Sequence, residues 1–163
     1  MSRYKTLDEL SHKESNYISE AINEAKQSPV KIRHGAIAMS GGRVIAKGFN
    51  HYRTQSADGY MGGLTCHAEC DVLHKLLKLQ SNKNNQRRKI TVYIVRIGQS
   101  DELRESAPCH DCYEKMLFFG IKKIAFTTER DDGEVKVFET PICEYVPSVV
   151  TTGQRWVSRE NID

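Results

Sequence analysis

Residues 89–97 (KITVYIVRI) place the tightest constraint on the fold. β-Branched and aromatic residues follow one another there, the composition of a strand in the middle of a sheet. Such a strand needs apolar cover on both faces. The covering helices are legible on either side of it. Residues 6–27 carry Leu7, Leu10, Tyr17, Ile18, Ala21, Ile22 and Ala25 at helical spacing. Thr6 and Glu9 have the form of a capping box at its start, and Ser28-Pro29 ends it. A second helix is expected over about 66–80, with Ala68, Val72, Leu73, Leu76 and Leu77 inward. Pro108 introduces a third, to about residue 120.

Further strands complete the sheet. Runs 34–39 (HGAIAM) and 43–49 (RVIAKGF), joined by Ser40-Gly41-Gly42, have hairpin form. Strand 121–127 (IKKIAFT) and strand 134–139 (EVKVFE) flank a turn at Asp132-Gly133. Between these elements, 50–65 has the Gly-rich, polar composition of a functional loop, 81–88 that of a solvated connector, and 98–107 that of a polar loop. The order predicts a three-layer α/β/α fold with a five-stranded mixed sheet, in a single domain over 1–163 whose core spans about 30–140. The tail, 141–163, has no periodicity that places it.

Composition narrows the setting. The chain has 163 residues, 39% apolar and 28% charged, enough to bury a core. No apolar run approaches the roughly 20 residues needed to span a bilayer, and the polar N-terminus lacks a signal-peptide pattern. A cytoplasmic, reducing location is expected, with no membrane partner. The five cysteines, at 66, 70, 109, 112 and 143, are odd in number, which argues against a disulfide framework. A net charge of +3 permits a phosphorylated substrate without predicting nucleic-acid binding.

Two segments carry the chemistry: Cys66-His67-Ala68-Glu69 and Pro108-Cys109-His110-Asp111-Cys112, each at a helix start. Cys109 and Cys112 are three apart, so one helical turn brings both to one face. The free N–H groups at a helix start favour thiolates there. With His67 from the other segment they offer one nitrogen and two sulfurs to Zn²⁺ and leave its fourth position open, which marks a catalytic rather than a structural site. Glu69 reaches the same spot if the ion sits off the helix end, and a carboxylate beside a water acidified by zinc can carry its proton.

His67-Ala68-Glu69 with Pro108-Cys109-x-x-Cys112 resembles the signature of the zinc-dependent cytidine/deoxycytidylate deaminase superfamily. The resemblance covers roughly 30–140 and includes the order of strands and helices. It implies a cytidine deaminase-like fold, with His67, Cys109 and Cys112 as zinc ligands and Glu69 as the catalytic proton shuttle. Gly48-Phe49-Asn50 is similar to the family's Gly-x-Asn, which implies that Asn50 binds the substrate sugar. Backbone groups near Ala68 and Ala107 would meet the base edge, and self-association into homo-oligomers is implied as well. The chain departs from the pattern in the 42-residue gap from His67 to Cys109. The Asp132-Gly133 turn, moreover, implies an antiparallel last pair of strands, as in free-nucleoside cytidine deaminases, whereas Ser106-Ala107-Pro108-Cys109 looks more like the deoxycytidylate group.

The function expected is hydrolytic deamination of cytosine in a free nucleotide or nucleoside (dCMP, CMP or cytidine), giving the uracil product and ammonia. One alternative is deamination of cytosine or adenine within single-stranded DNA or RNA. Another, from a different class, is a catalytically silent, zinc-stabilised module that binds a nucleotide or a protein. Cys66, Cys70 and Cys143 are read as small buried core residues, with a ligand role for Cys70 conceivable, and His110 as exposed. His51, Arg53, Arg96 and Arg104 are read singly as solvated charge, although each is chemically able to bind phosphate. Tyr52 and Tyr60 are equally suited to stacking on a base or to packing their own loop.

Overall fold

A computed structural model describes residues 2–53, 65–80, 89–130 and 132–147. The KITVYIVRI run forms the central strand, as its composition requires. In chain order the strands are β1 (Arg3–Thr6), β2 (Arg33–Ser40), β3 (Arg43–Phe49), β4 (Thr91–Ile97), β5 (Leu103–Arg104), β6 (Lys123–Glu129) and β7 (Val135–Pro141). The helices are α1 (His12–Ala25), α2 (Ala68–Gln80) and α3 (His110–Phe119). The sheet runs β1-β7-β6-β4-β2-β3, with β5 paired to β4. The β4–β6 pair is parallel and every other pair antiparallel, so the sheet is mixed.

Alternation along β4 divides two cores. Val92 and Ile94 join Ala36, Ala38, Val72, Leu73, Leu76 and Met116 under α2 and α3. Tyr93, Val95 and Ile97 face the other way, onto Ile18, Ala21 and Ala25 of α1. Helices on both faces of one sheet make the expected three layers. Leu77 is a correction: it is 39% exposed, because Leu73 and Leu76 already fill the contact and position 77 turns about 100° further round the helix.

The strand count is a second correction. Seven strands replace five because Arg3–Thr6 and Leu103–Arg104 also pair. Arg3 lies opposite Glu139, a partner no local pattern announces. Drawing residues 3–6 into the sheet delays α1 to His12. Leu7–Glu9 becomes a 3-10 turn in which the Glu9 carboxylate accepts from the Thr6 N–H at 3.4 Å. The box that caps α1 is Ser11 with Glu14: each side chain accepts from the other's backbone N–H, both at 3.1 Å. The Asp132-Gly133 turn does join an antiparallel pair, with Gly133 at φ +77° where a side chain would be strained.

The helix that begins at Ala68 comes very close to β3. A Cβ on Gly48 would sit 2.9 Å from the Val72 nitrogen and 3.0 Å from the Ala68 carbonyl oxygen, so a glycine lets the first turn of α2 lie against the strand. Between β4 and α3, residues 98–102 leave the sheet and β5 returns to it. Ser106 closes this excursion: its hydroxyl donates to the Ile94 carbonyl at 2.9 Å and accepts from the Thr127 N–H at 2.8 Å. Its own N–H donates to the Thr127 carbonyl at 2.8 Å. Most of the expected functional loop (54–64, with Tyr60), the connector 81–88 and the tail from 148 lie outside the described residues.

Candidate metal centre

The β3 end, the β4 end and the starts of α2 and α3 meet at one edge of the sheet, bringing the two chemical segments together. The ligand atoms of His67, Cys109 and Cys112 all lie within 4.8 Å of one another. His67 Nδ1 is 3.2 Å from Cys112 Sγ and 3.6 Å from Cys109 Sγ. Tetrahedral zinc, with Zn–S of about 2.3 Å and Zn–N of about 2.0–2.1 Å, sets N···S edges of about 3.6 Å. The cluster therefore has the dimensions of one zinc ion, and two sulfurs with an imidazole are a donor set that suits it.

Local structure produces this geometry. Cys109 is the N-cap of α3, with extended backbone (φ −71°, ψ 165°), and its sulfur accepts from the Cys112 N–H at 3.4 Å. Placing Cys109 before the helix and Cys112 in its first turn turns both sulfurs to the same end. On the other side, His51 and Cys66 exchange backbone hydrogen bonds of 3.0 and 2.8 Å, which hold His67 just before α2. The Asp71 carboxylate fastens that turn, accepting from the Phe49 N–H at 3.2 Å and lying 3.1 Å from Lys75 Nζ and 3.3 Å from His51 Nε2.

The electrostatics set the two sulfurs apart. The Cys109 thiol is pulled down to about 4, chiefly by its hydrogen bond with Cys112; burial opposes this and His67 adds to it. Cys112 is pushed well up by its hydrogen bonds to Cys109 and Cys70 and by burial. Burial works against a charged His67, but the hydrogen bond to Cys109 and the charges of Glu69 and Cys109 outweigh it and raise the imidazole to about 9. His67 and Cys112 thus hold protons beside a Cys109 thiolate, and a divalent cation binding there would displace them.

Glu69 is 5% exposed, and burial raises its carboxyl to about 7, with His67 opposing. A carboxyl in that range can hold or release a proton at neutral pH. Asn50 is also buried, at 5% exposure, but most of its polar capacity is committed within the protein. Its Oδ1 accepts from the His34 N–H at 2.8 Å and from the Ser28 hydroxyl at 2.6 Å, and its Nδ2 donates to the Ile32 carbonyl at 2.6 Å. One amide N–H is left over. Ala68 is fully buried at the first position of α2, where the backbone N–H has no partner inside the helix.

The surroundings sort the remaining candidates. Cys66 and Cys70 are buried beside the two ligand cysteines, with Cys70 Sγ 3.8 Å from Cys112 Sγ. Cys143 is a correction, since it lies exposed on the 3-10 turn Ile142–Glu144. His110 is exposed and 3.5 Å from Glu114. Tyr52 is 60% exposed and donates to the Pro29 carbonyl at 3.4 Å. Tyr145 belongs to the site although no motif in the chain marks it: its hydroxyl donates to the Pro108 carbonyl at 3.1 Å. Burial, then the charges of Glu105, Glu69 and Cys109, push that hydroxyl up to about 12, so the start of the tail packs against the site.

Known proteins share this fold. The family profile described as "Cytidine and deoxycytidylate deaminase zinc-binding region" matches residues 11–128. Among solved structures, cytidine deaminase from Burkholderia pseudomallei is 19% identical, covering 86% of this chain and 100% of that one, with a TM-score of 0.55. The dCMP deaminase of the cyanophage S-TIM5, in complex with dCMP and dUMP, is 19% identical over 74% of this chain and 85% of that one, with a TM-score of 0.51. At such identities these structures speak for the fold alone. No curated protein matches the chain in sequence. With a family match over most of its length and a His–Cys–Cys cluster able to hold the metal, the chain belongs to the zinc-binding cytidine and deoxycytidylate deaminase family.

Proposed function

We propose that this protein is a zinc-dependent hydrolase that deaminates cytosine in a free nucleotide or nucleoside, releasing the uracil product and ammonia. The observation that carries this reading is the buried Glu69 carboxyl, within electrostatic reach of His67 and Cys109 of the three-donor cluster. In this reading His67, Cys109 and Cys112 hold the ion. Zinc, when bound, supplies the Lewis acidity that makes water a nucleophile at neutral pH. Glu69 would take one proton from the attacking water and give it to the ring nitrogen, then carry a second, from the hydroxyl so added to the ring carbon, to the departing amine. Its raised carboxyl suits both directions of transfer. The Ala68 N–H meets the base edge, and the spare amide N–H of Asn50 meets the sugar. The whole chain acts as one domain in a cytoplasmic, reducing setting, which its unpaired cysteines fit. The bare ring of Phe118, 91% exposed on α3, supports self-association, which sedimentation would check.

The test is ammonia release across dCMP, CMP, deoxycytidine and cytidine, with metal content measured on the same sample. Glu69→Gln should keep zinc and lose turnover by at least about 100-fold, the usual contribution of a positioned acid–base group. Full turnover in that variant with zinc retained would overturn the mechanism. Turnover of an oligonucleotide but of no monomer would favour editing of single-stranded nucleic acid instead. Nucleotide binding without ammonia release from any base would favour a silent module.

A further inference from the structure

At the far end of the sheet, the ends of four strands meet around a cleft of about 470 Å³ lined by Arg3, Lys89, Lys122, Lys123 and Pro141. Arg3 opens β1, Lys123 opens β6, Pro141 closes β7 and Lys89 stands two residues before β4. Strand register gathers them: Lys123 lies opposite Thr91 on one side and Pro141 on the other, and Arg3 lies opposite Glu139. The Lys122 N–H donates to the Ile90 carbonyl and the Lys122 carbonyl accepts from the Ile142 N–H, both at 3.0 Å, so the sheet itself holds the floor. α3 starts at the metal centre and ends at Phe119, three residues short of Lys122. Its ten residues, at about 1.5 Å each, set the two places about 15 Å apart. The cleft is a separate site and no arm of the metal centre.

Its charge is one-sided. The lining side chains carry four positive charges and no negative one, more than the net +3 of the whole chain. Arg3 and Lys123 both pair with the buried Glu139 carboxylate behind them. Lys89 and Lys122 are exposed and form no ion pair among the described residues. Like charges gathered in one concavity focus a positive potential there and draw in anions. Nothing in the lining reads a base: it has no aromatic face to stack on, and no side-chain amide or carboxylate to pair with a base edge. It offers point charges alone, the chemistry that holds phosphodiester groups whatever the sequence.

We propose that this cleft grips the sugar–phosphate backbone of a nucleic acid without regard to sequence. The site stands apart from the deaminase reading and serves whichever substrate the metal centre takes.

The test is fluorescence anisotropy of the zinc-loaded protein with labelled oligonucleotides of two unrelated sequences, each as single strand and as duplex, over a range of salt. The wild type should bind both sequences alike, with Kd of about 1–100 μM at physiological salt, and log Kd should rise with log salt at a slope of about 3, as four neutralised phosphates require. Lys89→Glu with Lys122→Glu, two exposed positions, should weaken binding at least about 10-fold and cut the slope by about half. Lys13→Glu with Lys26→Glu changes the net charge equally, on α1 and just beyond it, and should weaken binding by less than about 3-fold. Binding of either form through Lys89 and Lys122 supports the site, and the tighter form names the source of the backbone. No binding, binding indifferent to salt, or a preference above about 10-fold between the two sequences overturns it on the wild type alone. Equal weakening by the two double variants overturns it by assigning the binding to overall charge. Inorganic triphosphate held more tightly than any oligonucleotide, or vesicles containing phosphatidylserine bound where oligonucleotides are not, overturns it by giving the cleft to another anion.

Discussion

Gly48→Ala tests how the fold delivers His67 and Glu69 to the metal. The added Cβ would meet the Val72 nitrogen and Asp71 Oδ2 at 2.9 Å and the Ala68 carbonyl oxygen at 3.0 Å. Ordinary contact begins at 3.4 Å, so the start of α2 or the strand must retreat by 3.4 − 2.9 Å, about half an ångström. Two of the three atoms are backbone, hence no side-chain rotation relieves the overlap. Overpacking of this kind costs about 1–3 kcal/mol. For a chain of this size each kcal/mol lowers Tm by roughly 2–4 °C, so a fall of roughly 2–12 °C is expected. The displaced turn carries Glu69 and follows His67 directly, and misplacement of about 1 Å can cost about 100-fold in rate. Turnover should therefore fall by about 10-fold with zinc still bound. Thermal unfolding of the zinc-loaded variant, metal content and ammonia release read the three effects. A Tm within about 1 °C of wild type together with wild-type turnover would refute the claim that this glycine sets the seat of α2.

The remaining predictions concern the metal, one titrating group and one contact. Cys112→Ser should lose zinc and melt at a lower temperature, because the ion ties α3 to the start of α2; elemental analysis showing a full zinc complement would contradict this. Burial, aided by His67 and Arg96, holds His34 down to about 4 from 6.5. The unfolded chain then binds more protons than the folded one below pH 6.5, so wild-type stability falls as pH drops from 6.5 towards 4, by up to about 3 kcal/mol. His34→Gln removes that contribution, and urea titrations at neutral and acid pH should show a smaller acid loss than in wild type; an equal loss would count against it. Tyr145→Phe deletes the hydrogen bond to the Pro108 carbonyl and should cost about 1 kcal/mol in the same urea titrations, with no change in zinc content.

The parts of this molecule that were legible in its sequence are those set by neighbours along the chain. Cys109 and Cys112 sit one helical turn apart, and the runs at 43–49 and 89–97 declare themselves by composition. What escaped depends on partners far away. Arg3–Thr6 has no apolar alternation, and only its pairing with β7 makes it a strand. Leu103–Arg104 pairs for two residues, too short for any periodic signal. The same holds at the site. Tyr145 reaches Pro108 across 37 positions, and Asn50 looked free for substrate until the folded chain showed its amide engaged by Ser28, Ile32 and His34. Arg96 read as surface charge because no linear pattern shows that a strand will bury its Nε without a partner.

The Ser106 clasp decouples two things that a shorter connection would link. Because the chain is stitched back to Ile94 and Thr127 before it reaches Pro108, whatever happens between 98 and 102 stays outside the scaffold of the ion-binding cysteines. Residues there can be exchanged, added or deleted at little cost to the reactive centre. For anyone redesigning what this protein accepts, that detour is the place to graft.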